Sequence, residues 1–212
     1  MEQYPNYKGY LYQTFDVLLL YFSLVQFNTS EIWRAKDFKS QHPPFGSPVH
    51  EGNATGWMWS DKSALKDTKK AFATINGEIS SNGPNAPLYR AYMKNLIINA
   101  GSLDMRLGSF SDVYYLPSRL KRDWLFLAGK GSVFDRNKVI HEIVSPTLSW
   151  MLTDNVTSTY EKLEGSYLTD NPIGDYLQNP NHHYFHRINL TDKIEQGLIK
   201  MNTDKSHIYV RN

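Results

Sequence analysis

The chain has no cysteine among its 212 residues. Disulfides, thiolate zinc sites and cysteine nucleophiles are therefore excluded. Neither sign of charge is in excess: 23 Lys and Arg stand against 21 Asp and Glu, a formal balance of +2. A dedicated nucleic-acid binder carries a clustered basic surplus, so nucleic acid is not an expected partner. Long hydrophobic runs are also lacking. The longest, Val17 to Val25 with Ser23 inside it, is about half of the ~20 residues that span a bilayer. Asp16 flanks it, and no Lys/Arg-rich start of a signal peptide precedes it. The expectation is a chain with no membrane segment and no secretion signal. Absent too are the phosphate-cradling patterns G-x-G-x-x-G and G-x-x-x-x-G-K, the G-x-S-x-G elbow and the H-E-x-x-H zinc motif. Kinase, dehydrogenase and hydrolase readings lose their usual support.

What is present can build a core: 41% of residues are hydrophobic and 14% aromatic. The length suits one domain, or at most two small ones. No internal repeat or low-complexity tract is visible. Asn-x-Ser/Thr triplets occur at Asn28, Asn53, Asn155 and Asn189, a pattern that also arises by chance. KGYLYQT, Lys8 to Thr14, reads as a strand, with Asp16 at its end. Val17 to Phe27 is apolar and fits either a helix or a buried strand. Glu31 to Arg34 reads as another short strand. Lys39 to Gly56, rich in Pro and Gly, reads as a loop.

A helix is predicted over 60–75, capped by Ser60, with Ala64, Leu65, Thr68, Phe72 and Ile75 at helical spacing. SNGPNAP, Ser81 to Pro87, is the clearest break, and an apolar block from Leu88 to Ala100 follows it. SDVYYLP, Ser111 to Pro117, reads as a strand stopped by proline. Ser118 is then expected to cap a helix carrying Leu120, Trp124, Leu125 and Leu127. A further helix, Asn137 to Leu152, is expected to kink at Pro146. Gly165 to His183 reads as loop, and Thr191 to Met201 as a closing helix. Strands alternate with helices, so the class is α/β.

Four places could carry chemistry. Asp16, at a strand end, lies where α/β folds place ligands and could hold a divalent cation; a plain capping aspartate is the alternative. His182, His183 and His186 could converge on a metal if their segment were helical, or they could be a polar loop with stacked aromatics. Trp57 and Trp59 could offer faces to a sugar ring, or pack in the core. His141 and Glu142 lie in an otherwise apolar helix. A buried Glu142 would suit acid–base work; the alternative is a solvated helix side.

In order, these stretches resemble the STELLO glycosyltransferases, Golgi type II membrane proteins with a large related group in nematodes. GYLYQTFDVLLLYFSLVQFNTSEIW, Gly9 to Trp33, is similar to the family's GFLF-x-DD-x-x-x-N-x-W strand and loop. WMWSDKSALKDTKKAF, Trp57 to Phe72, looks like its tryptophan-rich helix start. FSDVYYLPSRLKRD, Phe110 to Asp123, resembles sEVFYIPrRFv-x-DF, and this block is the most specific. KVIHEIVSPT, Lys138 to Thr147, is similar to the H/L-x-x-A-V-P helix, and HRINLT, His186 to Thr191, to HPxxxS.

The resemblance implies a GT-A-like glycosyltransferase fold that binds a nucleotide sugar and a glycan or protein acceptor on the lumenal side of the Golgi membrane, with a possible protein partner there. It implies Mn²⁺ or Mg²⁺ at Asp16 and His186, neutralising a diphosphate leaving group. Catalytic roles fall on Asp16 and Glu142, and acceptor binding on Trp57, Trp59 and His141. The sequence departs from the family at Phe15, which replaces the first Asp of the pair, at Leu20, which replaces its Asn, and at Arg187, which replaces the Pro after the His. The family's nucleotide-binding βαβ half is not matched. The expectation is therefore one incomplete glycosyltransferase domain, weak in metal binding. The alternative is a catalytically degenerate module that binds a glycan or a partner protein.

Overall fold

The computed structural model describes residues 7–35, 61–100, 111–153, 160–167 and 181–186. Its centre is a four-stranded sheet of β1 (Gly9–Gln13), β4 (Val113–Pro117), β3 (Ile32–Ala35) and β5 (Tyr160–Leu163), in that order. β4 runs antiparallel to both neighbours, while β3 and β5 are parallel. A second sheet joins β2 (Val17–Leu19), β7 (Tyr184–His186) and β6 (Gly165–Tyr167), with β7 antiparallel to β2 and parallel to β6. The protein is thus mixed α/β. GYLYQ and VYYLP are direct partners, with Tyr12 opposite Tyr114. The apolar stretch after Asp16 resolves into β2 and a 3₁₀ turn, Tyr21–Ser23.

Helix α1 (Lys62–Ser80) begins where Asp61 accepts a hydrogen bond from the Ser63 N–H at 2.6 Å, so Asp61 is its cap; Ser60 lies outside the described residues. Its buried face is Ala64, Thr68, Ala71, Phe72 and Ile75. The helix extends past the expected end and stops where Asn82 takes a φ of 52°. α2 (Ala86–Ala100) starts inside the SNGPNAP break. Pro87 falls in the first turn, where its missing N–H has no intrahelical bond to lose.

Ser118 does not cap the next helix with its side chain. A 3₁₀ turn, Ser118–Leu120, leads into α3 (Lys121–Ala128), and the Ser118 N–H instead donates to the Lys8 carbonyl at 2.8 Å. The helix expected from Asn137 starts later. Asn137 closes the short α4 (Val133–Arg136) by donating to the Val133 carbonyl, Lys138 turns with φ 56°, and α5 (His141–Met151) follows with Pro146 inside it. Part of the stretch expected as loop after Gly165 is strand β6. The expected loop Lys39–Gly56 and helix Thr191–Met201 lie outside the described residues.

Alternation along β4 separates two cores. Tyr114 and Leu116 face the helices, in a cluster with Phe72, Ile75, Leu96, Leu127, Phe134 and Leu148. Val113 and Tyr115 face the small sheet, packing with Val17, Leu19, Trp33, Leu163 and Tyr184. Trp33 and Tyr115, opposite in register, stack at 4.1 Å. The central sheet is therefore covered on both faces, which is why VYYLP reads as a nearly continuous apolar run. Asn95 and Asn99 on α2 donate to the carbonyls of Met151, Trp150 and Thr153, satisfying the end of α5. Among the described residues no helix is long and apolar enough to cross a membrane.

Candidate functional site

The turn after β1 positions the first group. The Thr14 N–H donates to the Asp112 carbonyl at 2.9 Å, extending the β1–β4 ladder by one rung. The Thr14 hydroxyl donates to Asp16 Oδ1 at 2.7 Å and so orients the carboxylate. One residue on, Val17 pairs with His186 at the end of β7. That register brings the buried His186 imidazole to the same place: Nε2 lies 3.5 Å from Asp16 Oδ2 and 3.7 Å from Asp112 Oδ2. Residues from three distant parts of the chain thus meet at the carboxyl end of β1.

The edge continues towards α5. Tyr12 stacks on Tyr114, with ring centres 4.9 Å apart, and its ring lies 5.8 Å from that of His141. Burial first, then the charges of Asp112 and Glu142, hold the Tyr12 phenol above its ordinary pKa, so it stays a neutral O–H donor. His141 Nδ1 is 3.2 Å from Glu142 Oε2. This pair occupies the first turn of α5, with the His exposed and the Glu partly so; every residue from Ile143 to Ser149 is buried. Glu142 is therefore at the rim of the helix core rather than sealed within it.

The three histidines do not converge. Their segment leads into strand β7, not a helix, so the side chains diverge. His183 accepts the Glu164 N–H on Nδ1 at 2.7 Å, tilts against Phe27, and is pushed below its ordinary pKa chiefly by burial. His182 meets Phe185 edge-on. Of the three, His186 is the one that lies within 4 Å of carboxylate oxygens among the described residues, those of Asp16 and Asp112. Trp57 and Trp59 lie outside the described residues.

Two features escaped the sequence reading. Asp112 is one residue ahead of β4, and only the pairing of β4 with β1 reveals that it neighbours Asp16 across the ladder end. Phe15 is 91% exposed, so it is no core residue.

Asp16 and His186 offer an oxygen and an imidazole nitrogen, donors that suit Mn²⁺ in kind. In number they fall short: among the described residues no group of three or more His, Asp or Glu is arranged to hold a metal ion. A cation here would depend on further oxygens brought by its ligand.

Fold and site define a mixed α/β protein with a carboxylate–imidazole cluster at a sheet edge. Compared with known protein families, characterised proteins and solved structures, the chain matches none.

Proposed function

We propose that the protein is a GT-A-like glycosyltransferase domain, or part of one, of STELLO type, working in the Golgi lumen. It transfers a sugar from a nucleotide donor to a glycan or protein acceptor. The observation that supports this reading is the approach of Asp16 to His186, 3.5 Å apart across 170 residues of sequence. The resemblance pairs those two residues, and neither composition nor periodicity does.

In this reading Asp16, oriented by Thr14, and His186 would hold Mn²⁺, and the chemistry it would supply when bound is positive charge towards a diphosphate leaving group. Glu142, at the mouth of α5, accepts the proton of the acceptor hydroxyl, and His141 beside it orients that hydroxyl. Titration calorimetry of residues 1–212 with Mn²⁺ and a panel of nucleotide sugars tests this. Binding of a nucleotide sugar should require Mn²⁺ and fall at least about tenfold in Asp16→Asn, as expected when a hard cation loses a charged oxygen ligand. Binding that ignores both Mn²⁺ and Asp16 would sink the proposal.

The second reading is a catalytically degenerate module that binds a glycan or partner protein. The solvent-facing Phe15, where a carboxylate is expected, favours it. Because that ring is not part of the core, Phe15→Asp should fold normally. Restored Mn²⁺ affinity in this variant would identify Phe15 as the lesion in a once-complete site.

A further inference from the structure

We infer that the outer edge of β1 is a self-pairing surface, on which two copies of this chain join β1 to β1 antiparallel about a two-fold axis at Leu11. The inference is independent of the glycosyltransferase reading.

The first observation is where the β1 backbone points. The Thr14 N–H donates to the Asp112 carbonyl, and the Ser118 N–H donates to the Lys8 carbonyl. Hydrogen-bonded pairs alternate along an antiparallel ladder, so the even-numbered positions of this stretch face β4. In that register Tyr10 is opposite Leu116 and Tyr12 opposite Tyr114. Gly9, Leu11 and Gln13 direct their N–H and C=O groups the other way, and β1 is the last strand of its sheet on that side. Among the described residues these outward groups have no hydrogen-bond partner.

The strand also lacks what keeps sheet edges apart. GYLYQ has no charge and no proline, and its register with β4 runs from Gly9 to Gln13 without a bulge. β5, at the opposite end of the sheet, carries Glu161 and Lys162. Charges, prolines and bulges are the usual guards of an exposed edge.

Self-complementarity selects a second copy as the occupant. With Leu11 opposite the second copy's Leu11, Gly9 meets the second copy's Gln13, and Gln13 its Gly9. Every outward residue is then paired with an outward residue, as the hydrogen-bonded rungs of an antiparallel ladder require. The same register sets Tyr10 opposite the second copy's Tyr12, on the face where Tyr12 stacks on Tyr114 at 4.9 Å. Leu11 meets Leu11 on the other face. Aromatic and apolar cross-strand pairs of this kind stabilise an antiparallel pair, and a two-fold contact closes without further growth. The two four-stranded sheets become continuous, and the two Asp16–His186 clusters lie at opposite ends of the paired strands.

Sedimentation velocity and amide hydrogen exchange of residues 1–212, from about 1 to 500 µM, cover the range in which a small interface assembles. A monomer–dimer equilibrium is expected. The amides of Gly9, Leu11 and Gln13 should gain protection as concentration rises, while those of Tyr12 and Thr14 are protected throughout. Gln13→Pro removes an outward N–H that the monomer does not use, as proline on an edge strand permits, and obstructs the second strand. Leu11→Lys sets like charges across the axis. Each should weaken dimerisation at least about tenfold, with the melt of Gln13→Pro unchanged at the lowest concentration. A dimer that both variants leave intact overturns the inference, as does one in which exchange at Gly9, Leu11 and Gln13 ignores concentration. A chain monomeric at every concentration overturns it too; if those three amides are then already protected, the edge belongs to another segment of the same chain.

Discussion

On the helical side of the central sheet, Phe134 is 1% exposed and Ile75, Leu127 and Leu148 are fully buried. At the end of β1, in the same molecule, Phe15 is 91% exposed beside a part-buried carboxylate. The two regions divide the work. The helical side collects apolar side chains and ties off several polar groups among them: Tyr92 donates to Asp123 at 2.8 Å, and Asn99 closes the end of α5. The edge collects the titratable groups Asp16, Asp112, Glu142, His141 and His186, and leaves rings in water. Burial decides stability on one side, and a gathering of titratable groups marks the other.

The contrast is sharpest for one pair of substitutions. Phe134→Ala should cost about 3–5 kcal/mol in urea unfolding, through lost burial and a cavity among Phe72 and its neighbours. Phe15→Ala should change stability by less than about 0.5 kcal/mol. Equal costs would erase the distinction between core and edge.

Alkali probes the sheet where the two regions meet. Burial first, then the neighbouring Tyr12, raises the pKa of Tyr114, and burial likewise raises those of Tyr89, Tyr92 and Tyr115. A raised folded-state value means that the stabilising contribution is complete below the unfolded value, about 10. It is lost as pH rises through the folded value. Stability should therefore fall above about pH 10, and Tyr114→Phe should make that fall shallower. An unchanged slope would place Tyr114 in contact with water.

Acid gives the smallest effect and touches the small sheet. His183 is lowered by burial and accepts a backbone N–H, so it favours the neutral form. A His lowered in the folded state contributes stability above its unfolded pKa of about 6.5, and loses it as pH falls below. His183→Gln retains an acceptor without the titration and should flatten the melting profile between about pH 5 and 7. If both proteins lose stability alike, His183 is not the group responsible.

Much of the architecture was legible because it depends on local pattern. Aromatic and β-branched runs bounded by breaks marked GYLYQ and VYYLP as strands. The spacing of Ala64, Thr68, Phe72 and Ile75 marked α1. Boundaries were less legible where a rival group took the bond. Asp61 claims the α1 cap, and Asn137 ends α4 where a longer helix was expected. The stretch VLLLYF satisfied either periodicity, and pairing with β7 selected the strand. The histidine spacing left two readings open, and the strand decides between them, since convergence at three- and four-residue intervals needs a helix and β7 is extended, with His182 and His183 against aromatic rings instead.

By itself, then, the amino-acid sequence determined which segments are apolar enough to be buried, which of them hold the strands β1, β3 and β4 and the helix α1, and that Asp16 follows a strand. Those are properties of neighbours along the chain. Tertiary structure alone decided that Asp112 and His186 join Asp16, that His182 and His183 turn away, and that Phe15 faces water. These depend on strand register between segments up to 170 residues apart. A one-residue slip in either the β1–β4 or the β2–β7 ladder would turn Asp112 or His186 to the opposite face. Register is set by packing on both faces of the sheet at once, and no local window of sequence carries it.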